Sequence, residues 1–115
     1  MKVYRGTRRP DGCVVTVNGV PLDPRPDLGQ APGSSFEWGY DGAGPSRLAL
    51  AILAEHFGDD ARAIGHFKRF RTHVIAEIED DDWAISTEDI ETLLAGMVEV
   101  PLTLAELLKK ARNPL

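Results

Sequence analysis

The sequence predicts an α+β fold, a small antiparallel sheet packed against a helical layer of about four helices. Three observations predict it. Valine-bearing segments at 2–5 and 13–17 flank the turn sequence Arg9-Pro10-Asp11-Gly12, and the second runs into Asn18-Gly19, the dipeptide most favoured in tight hairpin turns. The stretch Leu48-Ala49-Leu50-Ala51-Ile52-Leu53-Ala54 is apolar on nearly every side, as a buried helix requires. The strand signals gather at the N-terminal end instead of alternating with helices, so no βαβ repeat is expected.

The elements follow in order. Residues 1–22 form a β unit in which Val20 and Leu22 continue the hairpin. Residues 23–44 form a loop, because four prolines and five glycines between 21 and 44 leave little room for regular structure. Residues 45–95 are the helical part with one short strand. Its first helix spans about 45–57, with Pro45 at the first helical position and Gly58 at the left-handed C-terminal position. A second helix starts behind Asp59 or Asp60 and runs to about Ile78, with Ile64, Phe67, Val74, Ile75 and Ile78 on its apolar face. Trp83-Ala84-Ile85 is the short strand. Ser86 and Asp89 resemble a capping box that opens a third helix over about 87–95, ended by Gly96. Residues 97–115 are a C-terminal extension, extended at Val98 to Pro101, with a short fourth helix opened by Thr103 and Glu106.

Length and composition exclude several classes. With 115 residues the chain is one domain with one core, too short for a dinucleotide-binding domain plus a substrate domain or for a (β/α)8 barrel. One cysteine, Cys13, excludes a disulfide framework and a cysteine-based zinc site. No run approaches the roughly 20 apolar residues of a membrane span, and no secretory h-region is visible, so a cytoplasmic protein is expected.

The formal charge of −5 is unevenly distributed. Residues 1–72 carry +2, residues 73–91 carry −8, and residues 92–115 carry +1. The acidic block comprises Glu77, Glu79, Asp80, Asp81, Asp82, Glu88, Asp89 and Glu91. It repels phosphate locally, so any nucleic acid must lie on another face. Asp80 to Asp82 are expected in a solvated loop, with Glu88 and Asp89 at a helix N-terminus, where the dipole favours anions. The aspartate run lacks the order of a calcium loop, so no metal is assigned.

Three groups of residues are candidate sites. Glu37, Trp38 and Tyr40 lie in an aromatic glycine loop that leads onto a helix carrying Ser46 and Arg47 in its first turn. Free amides there, with Ser46 and Arg47, suit a phosphate or carboxylate, although the spacing is not that of a P-loop. Arg62, His66, Arg69 and His73 form a stripe at i, i+4, i+7 and i+11 on the second helix, suited to phosphates or an acidic partner. Arg71 falls at the centre of that helix's apolar face, so it must snorkel or find a carboxylate, with Glu37 or Glu55 as the natural partner. No cofactor is expected.

The motifs Phe36-Glu37-Trp38-Gly39-Tyr40, Gly44-Pro45 and Leu48-Ala49-Leu50-Ala51, with Tyr4-Arg5-Gly6 and the Trp-Ala-Ile-Ser strand, carry a resemblance. Over about residues 3–95 the chain resembles a family of small uncharacterised bacterial and mobile-element proteins. The resemblance implies the domain boundaries and marks the loop; it implies no reaction. The order Arg5, Ser34-Ser35, Glu77-Ile78-Glu79 is also similar to that of Arg-Ser-Glu ADP-ribosyltransferases. Here, though, the serines fall in a Pro/Gly loop and the glutamates end a helix.

The reading that combines these observations is a non-enzymatic cytosolic module that binds a protein partner in a mobile-element or host-defence setting. Its loop, its basic stripe and its acidic block would make the contact. Nucleotide or nucleic-acid binding through the glycine loop and the stripe is the alternative, and ADP-ribosyl transfer a remote one.

Overall fold

A computed structural model describes residues 2–31 and 35–99. Four strands, β1 (Val3–Arg9), β2 (Gly12–Val17), β3 (Val20–Pro21) and β4 (Asp82–Ser86), form one antiparallel sheet in the order β3-β2-β1-β4. Three helices are described, α1 (Ala43–Phe57), α2 (Asp60–His73) and α3 (Thr87–Glu99), with a 3-10 turn at Ile75–Glu77. The α+β class is therefore correct, with three helices among the described residues. The fourth helix and the extension beyond Glu99 lie outside them.

Both expected hairpins form. Pro10 and Asp11 link β1 to β2, with Arg9 paired to Gly12. Asn18 and Gly19 link β2 to β3 with φ of 49° and 81°, the left-handed pair of a type I′ turn. The last strand of the sheet comes from far along the chain, since β4 pairs with β1 across Tyr4–Ile85 and Gly6–Trp83. Alternation along β1 then turns Tyr4, Gly6 and Arg8 inward and Val3, Arg5, Thr7 and Arg9 outward.

Helix α1 is buried from Pro45 to Ala54 without interruption, because one core joins it to Tyr4 and Val15 of the sheet and to Ala63, Phe67 and Phe70 of α2. Each large apolar side chain fully withdrawn here contributes roughly 1.5–3 kcal/mol. The helix starts two residues before the expected Pro45. Pro45 is still tolerated, since the N–H it lacks has no ladder partner in a first turn. Gly58 closes it in the left-handed conformation with φ 63°, and Asp59 caps α2 by accepting from the Arg62 amide at 3.2 Å.

Two helix ends differ from expectation. Helix α2 stops at His73 instead of Ile78: Val74 leaves helical geometry with φ −122° and ψ −63°, and the 3-10 turn that follows presents the Ile75 carbonyl to both the Ile78 amide at 3.3 Å and the Gly39 amide at 3.1 Å. Helix α3 passes through Gly96 to Glu99, so Val98 and Glu99 are helical and not extended. An interior glycine costs only about 1 kcal/mol relative to alanine, and no proline intervenes before Pro101. The capping box that opens α3 is reciprocal, Ser86 N donating to Asp89 Oδ2 at 2.9 Å and Asp89 N to Ser86 Oγ at 3.1 Å.

Candidate binding cleft

The aromatic loop, the end of β1 and the segment before β4 meet around Arg8. Facing inward near the end of β1, Arg8 donates through Nη1 to Asp81 Oδ1 at 2.7 Å and through Nη2 to Glu37 Oε1 at 2.9 Å. Nη2 also donates to the Trp38 carbonyl at 3.1 Å, and the guanidinium lies 4.8 Å from the Trp38 ring centroid. Trp38 is buried, donates through Nε1 to the Asp80 carbonyl at 2.9 Å, and meets Trp83 edge to face at 5.5 Å. Burial pushes the Glu37 carboxyl upward, but hydrogen bonds from Arg8 and the Trp38 amide outweigh it and hold the group below the ordinary carboxylate range. Burial, reinforced by Glu37, raises the Cys13 thiol.

A second tether fixes the other end of the loop. Arg71 Nε donates to Asp41 Oδ1 at 3.0 Å and Nη1 to Ser46 Oγ at 3.0 Å, while Ser46 donates to the Gly42 carbonyl at 2.8 Å. Arg71 thus has its carboxylate, but the partner is Asp41 and not Glu37, which Arg8 holds, or Glu55, which Lys2 holds at 2.8 Å. Because α2 ends early, Arg71 sits at its rim and reaches the loop instead of facing the core.

Arg47 turns the opposite way from the anion site expected of it. It is buried, and its guanidinium donates to the carbonyls of Pro24, Arg25, Leu28 and Ala31, pinning the proline-rich loop onto α1. The Ser46 amide donates to the Gly42 carbonyl at 3.0 Å. The first turn of α1 therefore spends Ser46 and Arg47 on the protein itself.

Beside Arg8 opens a cleft of about 410 Å³, lined by Arg8, Trp38, Gly39 and residues 76–79. Glu77 and Glu79 stand on its lip, and neither makes an ion pair among the described residues. Tyr40, next to Gly39, is 50% exposed. Of the five residues expected at the loop site, Trp38 lines the cleft, Glu37 reaches it only through Arg8, and Tyr40 adjoins Gly39 in the chain with its ring over Gly42. A smaller cleft of about 240 Å³ lies between Leu22, Asp23 and Arg25 on one side and Ala51 and Glu55 on the other.

Arg62, His66, Arg69 and His73 all lie on α2, and the first two pack toward α1. The Arg62 guanidinium lies 4.2 Å from the Phe57 ring centroid, and His66 tilts against the same ring at 5.7 Å. Arg69 is exposed and His73 half-buried. Arg5, expected beside Glu77 and Glu79 in the transferase reading, faces outward on the sheet, whereas those glutamates flank the cleft on the Arg8 side. Among the described residues no group of His, Cys, Asp and Glu is placed to hold a metal ion, and no helix is long and apolar enough to cross a membrane.

Sequence reasoning missed Arg8, Asp41 and His56, the last of which lies 2.7 Å from Glu91 and joins α1 to α3. The signal for Arg8 was available: it shares a two-residue period with Tyr4 and Gly6 and so belongs to the buried face of β1.

These features coincide with a sequence family. Residues 4–96 match the family described as Family of unknown function (DUF6166), and the chain belongs to it. No curated protein and no solved structure matches the chain.

Proposed function

We propose that this chain is a non-catalytic protein-binding module, acting in the cytoplasm in a bacterial mobile-element setting. One observation carries the reading: Tyr40, next in the chain to Gly39 of the cleft wall, is half-exposed on a loop held at both ends by ion pairs, Arg8–Glu37 and Arg71–Asp41. A rigid aromatic presented at the edge of a recess is the usual anchor of a protein interface, since it buries a large area at little entropic cost.

The test is affinity capture of the tagged chain from its own host, with and without nuclease. One stoichiometric protein that survives nuclease and is lost with Tyr40→Ala supports the reading. Recovery that nuclease abolishes overturns it in favour of nucleic-acid binding. Exposed Arg62 and Arg69 on one face of α2 favour that second reading, which predicts steep weakening with salt and loss of binding in Arg62→Glu/Arg69→Glu.

A further inference from the structure

We infer that the outer edge of β4 takes on a basic, extended segment of the partner protein as a fifth strand of the sheet. The inference rests on the protein-binding reading and adds a surface apart from the aromatic loop, with the chemistry that would hold a partner there.

The sheet ends in β3 on one side and in β4 on the other, and the two edges differ. At β3 the Leu22 amide donates to the Val15 carbonyl at 3.0 Å, and Val17 stands opposite Val20. Hydrogen-bonded pairs alternate along an antiparallel ladder, so Val20 and Leu22 face β2 and Pro21 faces outward. A proline has no N–H to give, and that edge is closed to a further strand. At β4 the Arg8 amide donates to the Asp81 carbonyl and the Thr87 amide to the Lys2 carbonyl, both at 2.9 Å. With Tyr4 opposite Ile85 and Gly6 opposite Trp83, residues 81, 83, 85 and 87 turn their backbone groups to β1. Asp82, Ala84 and Ser86 turn theirs away. The Ser86 amide is taken by Asp89 Oδ2 at 2.9 Å, which stops the edge there. Asp82 and Ala84 remain, both exposed, with two donors and two acceptors in register and no described strand beyond them. Neither a proline nor a break in register guards this edge.

Charge selects the occupant. Residues 77–91, which contain β4, hold eight carboxylates and no Lys or Arg. Asp82 on the strand and Glu88 just past it make no ion pair among the described residues. A second copy of the chain would bring the same acidic block against itself, whereas a strand bearing Lys or Arg is drawn in. On the inner side of β4, Trp83 and Ile85 are half-buried at the margin of the core. Side chains alternate across an added strand, so one set would lie beside Trp83 and Ile85 and the other beside Asp82 and Ala84. The segment that fits alternates apolar residues with cations.

The probes are three peptides of equal length, titrated into the full chain and followed by amide chemical shifts and hydrogen exchange. One alternates lysine and valine, one alternates glutamate and valine, and the third is the lysine peptide with its lysine backbone nitrogens methylated. The lysine peptide should shift the amides of Asp82 and Ala84 and slow their exchange at least tenfold. The glutamate and methylated peptides should leave both in place. Ala84→Pro removes an outward donor without touching the ladder to β1, and it should weaken lysine-peptide binding at least tenfold. Asp11→Asn, which removes a carboxylate from the β1–β2 turn, should leave it unchanged. Equal binding of the methylated or glutamate peptide overturns the inference, and so do shifts that leave Asp82 and Ala84 untouched. Protection of these two amides that rises with protein concentration, without peptide, names a second copy as the occupant and also overturns it. Nuclease-resistant capture that depends on Tyr40 but is indifferent to Ala84→Pro would retain the module and discard the added strand. Lysine-peptide protection of Asp82 and Ala84 with no protein captured from the host would retain the edge and discard the module.

Discussion

Arg8 Nη2 meets Glu37 Oε1 at 2.9 Å, joining a strand residue that lines the cleft to a loop residue 29 positions away. Glu37 has its carboxyl held below the ordinary value of 4.5, with burial opposing and Arg8 prevailing. Such a group adds stability above the unfolded pKa and loses it as pH falls through the lower folded value. Glu37→Gln should therefore be less stable than the native chain at pH 7, with the difference shrinking as pH falls below 4.5 and through the lower folded value. Both side chains are about a third exposed, so screening keeps the effect under ~1 kcal/mol. Denaturant titrations of both proteins between pH 3 and 7 check it, and a difference that grows toward acid would contradict it.

Arg47 should be the costliest polar residue to remove. Arg47→Met strips the guanidinium from the carbonyls of Pro24, Leu28 and Ala31 and leaves that of Arg25 with the Leu28 amide alone, and a loss on the order of 3–5 kcal/mol is expected. Arg47→Lys should recover little, because one ammonium cannot reproduce a planar fork that spans several acceptors. Thermal melts give the loss, and amide exchange should show residues 22–31 opening first.

Gly6 lies under the Trp83 indole, and a β-carbon there would collide with the ring. Gly6→Ala should cost about 1–3 kcal/mol and change tryptophan emission, since Trp83 must shift and Trp38 touches it edge to face. An unperturbed spectrum with native stability would show that the sheet yields more cheaply than its close approach implies.

Tyr4 is fully buried, and its hydroxyl has no partner within the described protein. Burial first, and the Glu55 charge second, push it up to about 12 from 10.0. A raised folded value leaves stability intact below pH 10 and erodes it between 10 and 12, by about 2–3 kcal/mol at the upper end. Tyr4→Phe should abolish this alkaline limb and match or exceed native stability at pH 7, because it deletes an unsatisfied polar atom without changing the ring. Stability against pH in both proteins, with tyrosinate absorbance near 295 nm as a second readout on the order of one residue, decides it.

The elements themselves were legible because their signals are local. Asn18-Gly19, the apolar run of α1, Gly58, Asp59 and the Ser86–Asp89 box each act within about four residues, and each forms as its chemistry dictates. The α2 terminus was not legible, since the break at Val74 falls inside an apolar run that continues the helical period, and the turn beyond it is tied to Gly39, 36 positions earlier. The loop motif was recognisable as a site, yet the direction of Arg47 was not. A guanidinium at the start of a helix serves an incoming anion or the protein's own carbonyls equally well, and only the path of residues 24–31 selects between them.

The sequence by itself determined the fold class, the hairpins, the buried helix and the acidic block. All of these follow from periodicity, turn chemistry and charge along the chain. Only the tertiary structure decided which polar groups meet: Arg8 with Glu37 and Asp81, Arg71 with Asp41, and His56 in hydrogen-bond contact with Glu91. Ion pairing depends on distance in space, and these partners are separated by 29 to 73 residues of chain. Of these paired residues Arg8 lines the cleft, and on its lip Glu77 and Glu79 make no ion pair among the described residues.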